Sequence, residues 1–300
     1  MRKKDKTDEA AVKGGLLSRL LLICGIVLLA MALAIGGYLV WQYMDAQNRY
    51  NEIQSVSGLD IKELQKVDAN TKLEDLSFNW DALRAMNPDI VGWIIIPGTN
   101  INYPIVQGQD NQHYLYHLFD STSSGTGAIF ADYQNVPTLD GENNIIYGHN
   151  MLDGSMFSDI YLYSHQDFFD DHRVVYLCTP TMNYELSAIA SIDISQDAPL
   201  RQFSFDDDAA FTAFVSDTLA TPEASAPDLP TIIANTKTLY SLVTCETFDF
   251  SRRIVLCCIP VRSVVPTDAE SSSTDSSSTD SSSAASSSTD SSSAASSSAQ

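Results

Sequence analysis

The sequence predicts a mainly β fold, a barrel or sandwich, set behind a membrane-spanning helix. Three observations carry this: an uncharged apolar run near the N-terminus, eight short β-branched stretches broken by turn residues, and one amphipathic helical pattern late among them. A chain of 300 residues with 44% hydrophobic content has material for one sizeable core and an appended helix.

The apolar run extends from Leu20 to Trp41 without a charge. At about 1.5 Å per residue it is long enough to cross a bilayer core of about 30 Å. Arg2, Lys3, Lys4, Lys6, Lys13 and Arg19 precede it, which predicts an N-terminus inside and everything after Trp41 outside, with Tyr38, Trp41 and Tyr43 at interfacial level. Ala32-Leu33-Ala34 resembles a small-residue cleavage site, but the run exceeds a signal-peptide core of about 7 to 15 residues, which favours an uncleaved anchor. The expected organisation is a cytoplasmic basic segment at 1–19, a transmembrane anchor at 20–41, a stalk or helical linker at 42–77, a folded domain at 78–266 and a tail at 267–300.

Tyr50, Ile53 and Val56, then Ile61, Leu64 and Val67, give the linker weak helical spacing. A short helix through Trp80, Leu83 and Met86 is stopped at Asn87-Pro88. Strands are expected at 91–96, 103–106, 127–131, 144–147, 174–179, 184–194, 237–244 and 253–261. The late helix is placed at 206–220, where acidic residues open an apolar pattern and a proline lies beyond its end. From 271 on, serine-rich pentads carry no large apolar residue to offset ordering entropy, which predicts disorder.

Charge excludes one class of partner. Against 38 acidic residues stand 17 basic ones, six of them ahead of the apolar run, so the expected outer part offers no basic face for nucleic acid. Cys24 falls in the apolar run; Cys178, Cys257 and Cys258 read as packing residues, and adjacent cysteines in a strand point to opposite faces. No cysteine pair has zinc-ligand spacing. His113 and His117, at i and i+4, read as a satisfied surface pair, so neither a metal nor another cofactor is expected.

Cys245 remains, at the end of the strand-like "SLVTC" and before "SRR" (251–253). A cysteine attacks as thiolate and needs a cationic or proton-accepting neighbour. His149, after "NNIIYG", emerges at a strand end, and a hairpin between the last two strands would return Arg253 to the Cys245 edge, with Arg252 alternating away.

"YGHNMLDGSMF" (147–157) and "LVTCE" with "SRR" resemble the histidine and cysteine motifs of the sortases, the first those of class B in particular, and residues 92–135 are similar to the class B first half-barrel. The resemblance covers about residues 78–262. Val243 stands where the family commonly has a small residue, and Gln134 where arginine is frequent. It implies a closed barrel of about eight strands with N-terminal helices and one late inserted helix. It also implies a membrane-anchored cysteine transpeptidase, with Cys245 as nucleophile, His149 as general acid and base, Arg253 as oxyanion donor, and Thr244 and Glu246 beside the substrate. The implied partners are secreted proteins carrying a C-terminal sorting signal, a cell-wall or pilin amine, and the bilayer. A papain-like peptidase usually has its cysteine before its histidine, the reverse of the order here. A non-catalytic surface protein on a serine-rich stalk would carry its anchor at the other end.

Overall fold

A computed structural model describes residues 4–58, 67–245 and 251–266, with backbone alone at 4–18 and at Cys245. The tail and Glu246 lie outside the described residues. Helix α1 (Lys4–Val56) carries the apolar run and continues past it for about four turns. From Arg19 on it is long and apolar enough to cross a membrane: its best window has mean hydropathy 2.7 and none of it is buried. Such a column of exposed apolar side chains suits lipid.

Beyond Trp41 the pattern on α1 changes. Ala46, Tyr50 and Ile53, at i, i+4 and i+7, are buried. The Tyr50 ring meets Tyr103 edge-on and Phe119 at a tilt, each at 5.2 Å. Arg49 joins Asp45 (2.8 Å) to Asp120 (2.6 Å), fixing the same segment to the barrel. The stretch ahead of the barrel is therefore helical to Val56 and contributes core side chains, as do Leu73, Leu76 and Phe78 around a 3-10 turn at Leu73–Asp75. Helix α2 (Trp80–Met86) starts where the Asn79 side chain accepts from the Ala82 amide (3.0 Å) and ends before Pro88, which disfavours helix at the residue ahead of it.

Among the described residues nine strands follow: β1 (Ile90–Ile95), β2 (Asn102–Val106), β3 (Ile129–Ala131), β4 (Asn143–Tyr147), β5 (Val174–Cys178), β6 (Asn183–Ser195), β7 (Ala224–Ser225), β8 (Leu239–Cys245) and β9 (Arg252–Val264). Eight of them run in the order β5-β1-β2-β3-β4-β8-β9-β6, and β6 pairs back onto β5 to close the barrel. Strand β7 adds to β6 at Ala190 and Ser191, beyond the stretch that pairs with β5. The β2–β3 and β4–β8 ladders are parallel and the others antiparallel. The late helix appears as α4 (Asp208–Thr218), with Asp207 as its N-cap. Short α3 (Gln166–Asp171) and α5 (Leu229–Asn235), and a 3-10 segment at Ser158–Ser164, also interrupt the strands.

Two apolar clusters share the wall built from β4, β8, β9 and β6. Ile146, Leu242, Leu256 and Cys258 belong to the larger cluster, which draws on every barrel strand. Their neighbours Ile145, Val243, Val255 and Cys257 face the other way, against Phe211 and Val215 of α4 and Leu229 of α5. A wall buried on both faces reads as a continuous apolar run, which is why "IVLCC" (254–258) lacks alternation.

Candidate active site

The parallel β4–β8 ladder aligns Tyr147 with Val243, and the Gly148 amide extends it by donating to the Val243 carbonyl (3.1 Å). Two residues beyond Tyr147 is His149; two beyond Val243 is Cys245. The two strands thus carry histidine and cysteine to the same level at one end of the barrel. Across the next ladder Cys245 lies directly opposite Arg253. The register therefore converges all three from residues that are 96 and 8 positions apart in sequence.

The glycine before the histidine has a packing reason. A Cβ at Gly148 would stand 2.5 Å from Ile129 Cδ1 and 2.6 Å from the Phe157 ring. Gly127, at φ +61°, lets a neighbouring loop close over the imidazole: a Cβ there would meet His149 Cδ2 and the Leu115 oxygen, each at 2.8 Å. That loop supplies the acceptor for the ring, since His149 Nε2 donates to the Leu115 carbonyl (2.7 Å). A carbonyl only accepts, so Nε2 carries a proton in this arrangement.

The adjacent arginines diverge, as strand alternation requires. Arg252 directs Nε to both Asp193 carboxylate oxygens (2.9 Å each) and Nη2 to the Asp193 carbonyl (3.0 Å). Arg253 lines the groove; its Nη1 donates to the Arg252 carbonyl (2.8 Å) and its Nη2 reaches Gln196 Oε1 (3.4 Å). The groove has a volume of about 250 Å³ and is lined by His149, Arg253, Tyr147, Val243, Thr244, Gln196, Asn111, Leu115, Phe130 and Gly148. Thr244 is buried, and its hydroxyl oxygen has no hydrogen-bond partner among the described residues. Glu246 lies outside the described residues.

Polar support beneath this groove was missed by sequence reasoning. Asp132, at the end of β3, has a side chain with no exposed area. It accepts from Arg201 Nε (2.7 Å) and Nη2 (3.0 Å), from Asn111 Nδ2 (2.8 Å), from the Tyr147 hydroxyl (2.9 Å) and from the Gln134 amide (3.0 Å). Burial alone would push this carboxyl up, but the Arg201 guanidinium and the hydrogen bonds together hold it below the usual carboxylate range. Burial, followed by the Asp132 charge, pushes the Tyr147 phenol up, so it stays a neutral donor. Arg201 also reaches Gln134 Oε1 (2.8 Å) and lies over the Tyr133 ring at 5.4 Å. The available signal was an acid ending the apolar stretch "AIFAD" in a chain poor in arginine: a buried carboxylate there demands a cation.

The remaining cysteines of the domain are packing groups. Cys178, Cys257 and Cys258 are fully buried, and burial pushes each thiol up, that of Cys257 to about 12. The exposed His113 and half-buried His117 rings stack 4.2 Å apart, and His117 Nδ1 donates to the His113 carbonyl (2.7 Å).

A closed eight-stranded barrel that brings a histidine level with a cysteine on parallel strands is the architecture of a β-barrel cysteine transpeptidase. The Sortase domain family model matches residues 94–261, and the chain belongs to the sortase family. Its relatives are of class B. It is 34% identical to Sortase B of Listeria monocytogenes over 153 residues, which is 50% of this chain and 61% of that protein. To Sortase B of Staphylococcus aureus it is 28% identical over 67% of this chain and 81% of that one. The crystal structure of sortase B from B. anthracis in complex with AAEK1 superposes with a TM-score of 0.61 at 26% identity, covering 74% of this chain and all (100%) of that one.

Proposed function

We propose that this chain is a membrane-anchored transpeptidase that cleaves a C-terminal sorting signal of secreted proteins and passes the acyl group to a cell-wall or pilin amine. The carrying observation is the strand register that puts His149 level with Cys245 and sets Arg253 opposite it. In this reading the Cys245 thiolate attacks a peptide carbonyl carbon of the signal, a threonine carbonyl by analogy with the family. The carbonyl π electrons move to oxygen, where Arg253 donates hydrogen bonds to the developing charge. The C–N bond then breaks, the leaving amine takes a proton from His149, and a thioester remains on Cys245. An incoming amine attacks the thioester, His149 takes its proton, and the thiolate departs. With Nε2 donated to the Leu115 carbonyl, the nitrogen that exchanges this proton is Nδ1.

The helix through Leu20–Trp41 supplies the anchor, with the basic N-terminal segment inside and the barrel outside. Anchoring holds the groove where exported substrates are concentrated. Incubation of the full chain in detergent micelles with sorting-signal peptides and candidate amines, read by mass spectrometry, tests the reaction. The expected product joins the peptide's N-terminal part to an added amine. Hydrolysis alone, at every amine concentration, would replace transfer with simple peptidase activity.

A further inference from the structure

We propose that the turn following His149 is a second membrane contact, which seats the groove end of the barrel on the surface of the bilayer that α1 enters. Leu152, at its tip, is 93% exposed, more than any apolar residue of the membrane-spanning run. The turn is rigid. Asn150 and Met156 form an isolated β-bridge, Gly154 N donates to the Met151 carbonyl (3.1 Å), and Ser155 donates to Asp153 Oδ1 from its amide (3.0 Å) and its hydroxyl (2.7 Å). A leucine held outward on a stiff hairpin has no means of burying itself within the chain.

The position of this turn relative to α1 names its partner. The Met156 amide donates to the Tyr103 hydroxyl (3.1 Å), and the Tyr103 ring rests edge-on against Tyr50 of α1. Nearer the membrane, the Asp153 carboxylate is the strongest electrostatic neighbour of the Tyr43 hydroxyl. Tyr43 and Tyr50 are seven residues apart and so share a helix face. Tyr43 lies two residues beyond Trp41, about 3 Å along the axis. The headgroup layer on each side of a bilayer core is about 5–8 Å deep. A turn whose carboxylate stands beside Tyr43 is therefore at headgroup level. Its only charge, Asp153, accepts from the Ser155 amide and hydroxyl and lies beside Tyr43, while Leu152 is presented outward.

The contact sets orientation more than affinity, because α1 alone holds the chain in the membrane. The attachments of α1 at Arg49–Asp120, at Tyr50 and at Gln54, together with the Leu152 tip, hold the barrel against swivelling about the helix. His149 begins the same segment, and its carbonyl accepts from Phe157 N (2.9 Å). The histidine side of the groove consequently opens beside the lipid headgroups.

The inference rests on α1 being the membrane anchor, and the experiment separates the two. The full chain is reconstituted in phosphatidylcholine vesicles containing a lipid brominated near the headgroup end of its chains, and tryptophan emission is compared with unbrominated vesicles. Quenching of the unaltered chain that disappears in Trp41→Phe reports the anchor. Adding Leu152→Trp to the Trp41→Phe chain should restore quenching, whereas Ser216→Trp on exposed α4 should not. Quenchable Trp41 with an unquenched Leu152→Trp emission overturns the loop contact and leaves the anchor standing. Equal quenching of the Ser216→Trp emission also overturns it, by showing a general affinity of added tryptophan for lipid. If Trp41 itself is not quenched, the anchor reading and the loop contact fail together.

Discussion

The β8–β9 hairpin holds cysteines at two levels that have different fates. At the end of the ladder away from the turn, Cys257 and Cys258 lie on opposite faces of β9, each packed in one of the two apolar clusters, with thiols that burial keeps protonated. At its turn end Cys245 is paired with Arg253, which lines a groove shared with His149. The residue type and the hairpin are the same, and only the distance along the ladder differs. In the proposed reading, reactivity is a property of where the wall stops: the apolar cover of α4 and α5 ends, a cation replaces an apolar neighbour, and a second strand end would supply a base.

The sharpest way to break this comparison is to remove the thiols in turn. Cys245→Ala should abolish thioester formation, read by mass spectrometry of the chain after a peptide pulse, and leave the urea unfolding midpoint close to that of the unaltered chain. Cys257→Ala should do the opposite, keeping transfer per folded molecule while costing about 1–2 kcal/mol of stability through the cavity it leaves. Full activity in Cys245→Ala would end the assignment.

The adjacent arginines sharpen the comparison at smaller amplitude. Arg253→Ala and His149→Ala should each lower kcat by about a hundredfold or more. Arg252→Ala should leave kcat within a few fold, because its guanidinium is spent on the partly exposed Asp193 pair, worth at most about 1 kcal/mol. A larger loss from Arg252→Ala than from Arg253→Ala would invert the strand phase on which the groove depends.

These contrasts also explain what could be read from the chain beforehand. Strand ends and period are local properties, so β1 to β6, β8 and β9 were all legible, as was α4 from its acidic opening and proline stop. The convergence of His149 on the hairpin followed from topology expected by resemblance and from strand-end logic. Elements whose stability comes from elsewhere were not legible. The two-residue β7 exists only because β6 outruns its pairing with β5, and α5, at Leu229–Asn235, spans only seven residues in a weak apolar pattern. The faint spacing of Tyr50 and Ile53 concealed a core-facing stripe because the barrel surface that buries it lies 50 or more residues away. Tyr147 could have been placed in the groove, since it precedes His149 by one full strand repeat; Asn111, Leu115, Gln196 and Arg201 lie on loops, where no period exists to reveal them.

The smallest expected effect on chemistry concerns the ground beneath the groove. Asp132 touches none of the three residues assigned to the reaction, yet it holds Asn111 and Tyr147, two side chains of the groove wall, and ties the Arg201 loop to β3. Asp132→Asn keeps the shape but removes the charge, so kcat should stay within a few fold while KM rises more, as expected when substrate positioning loosens and the reacting groups do not move. Stability gives the independent reading. The folded pKa of Asp132 is depressed, so its contribution is complete above the unfolded value of about 4 and is lost as pH falls through the lower folded value. The unfolding free energy of Asp132→Asn should therefore lie below that of the unaltered chain at pH 7, by up to about 3–5 kcal/mol for a broken buried pair and less because Arg201 is partly exposed to water. The gap should narrow as pH falls below about 4, when Asp132 in the unaltered chain takes up its proton. A gap that stays constant down to pH 2, with KM unchanged, would show that Asn111 and Tyr147 are held by packing alone and that the buried charge is incidental to the groove.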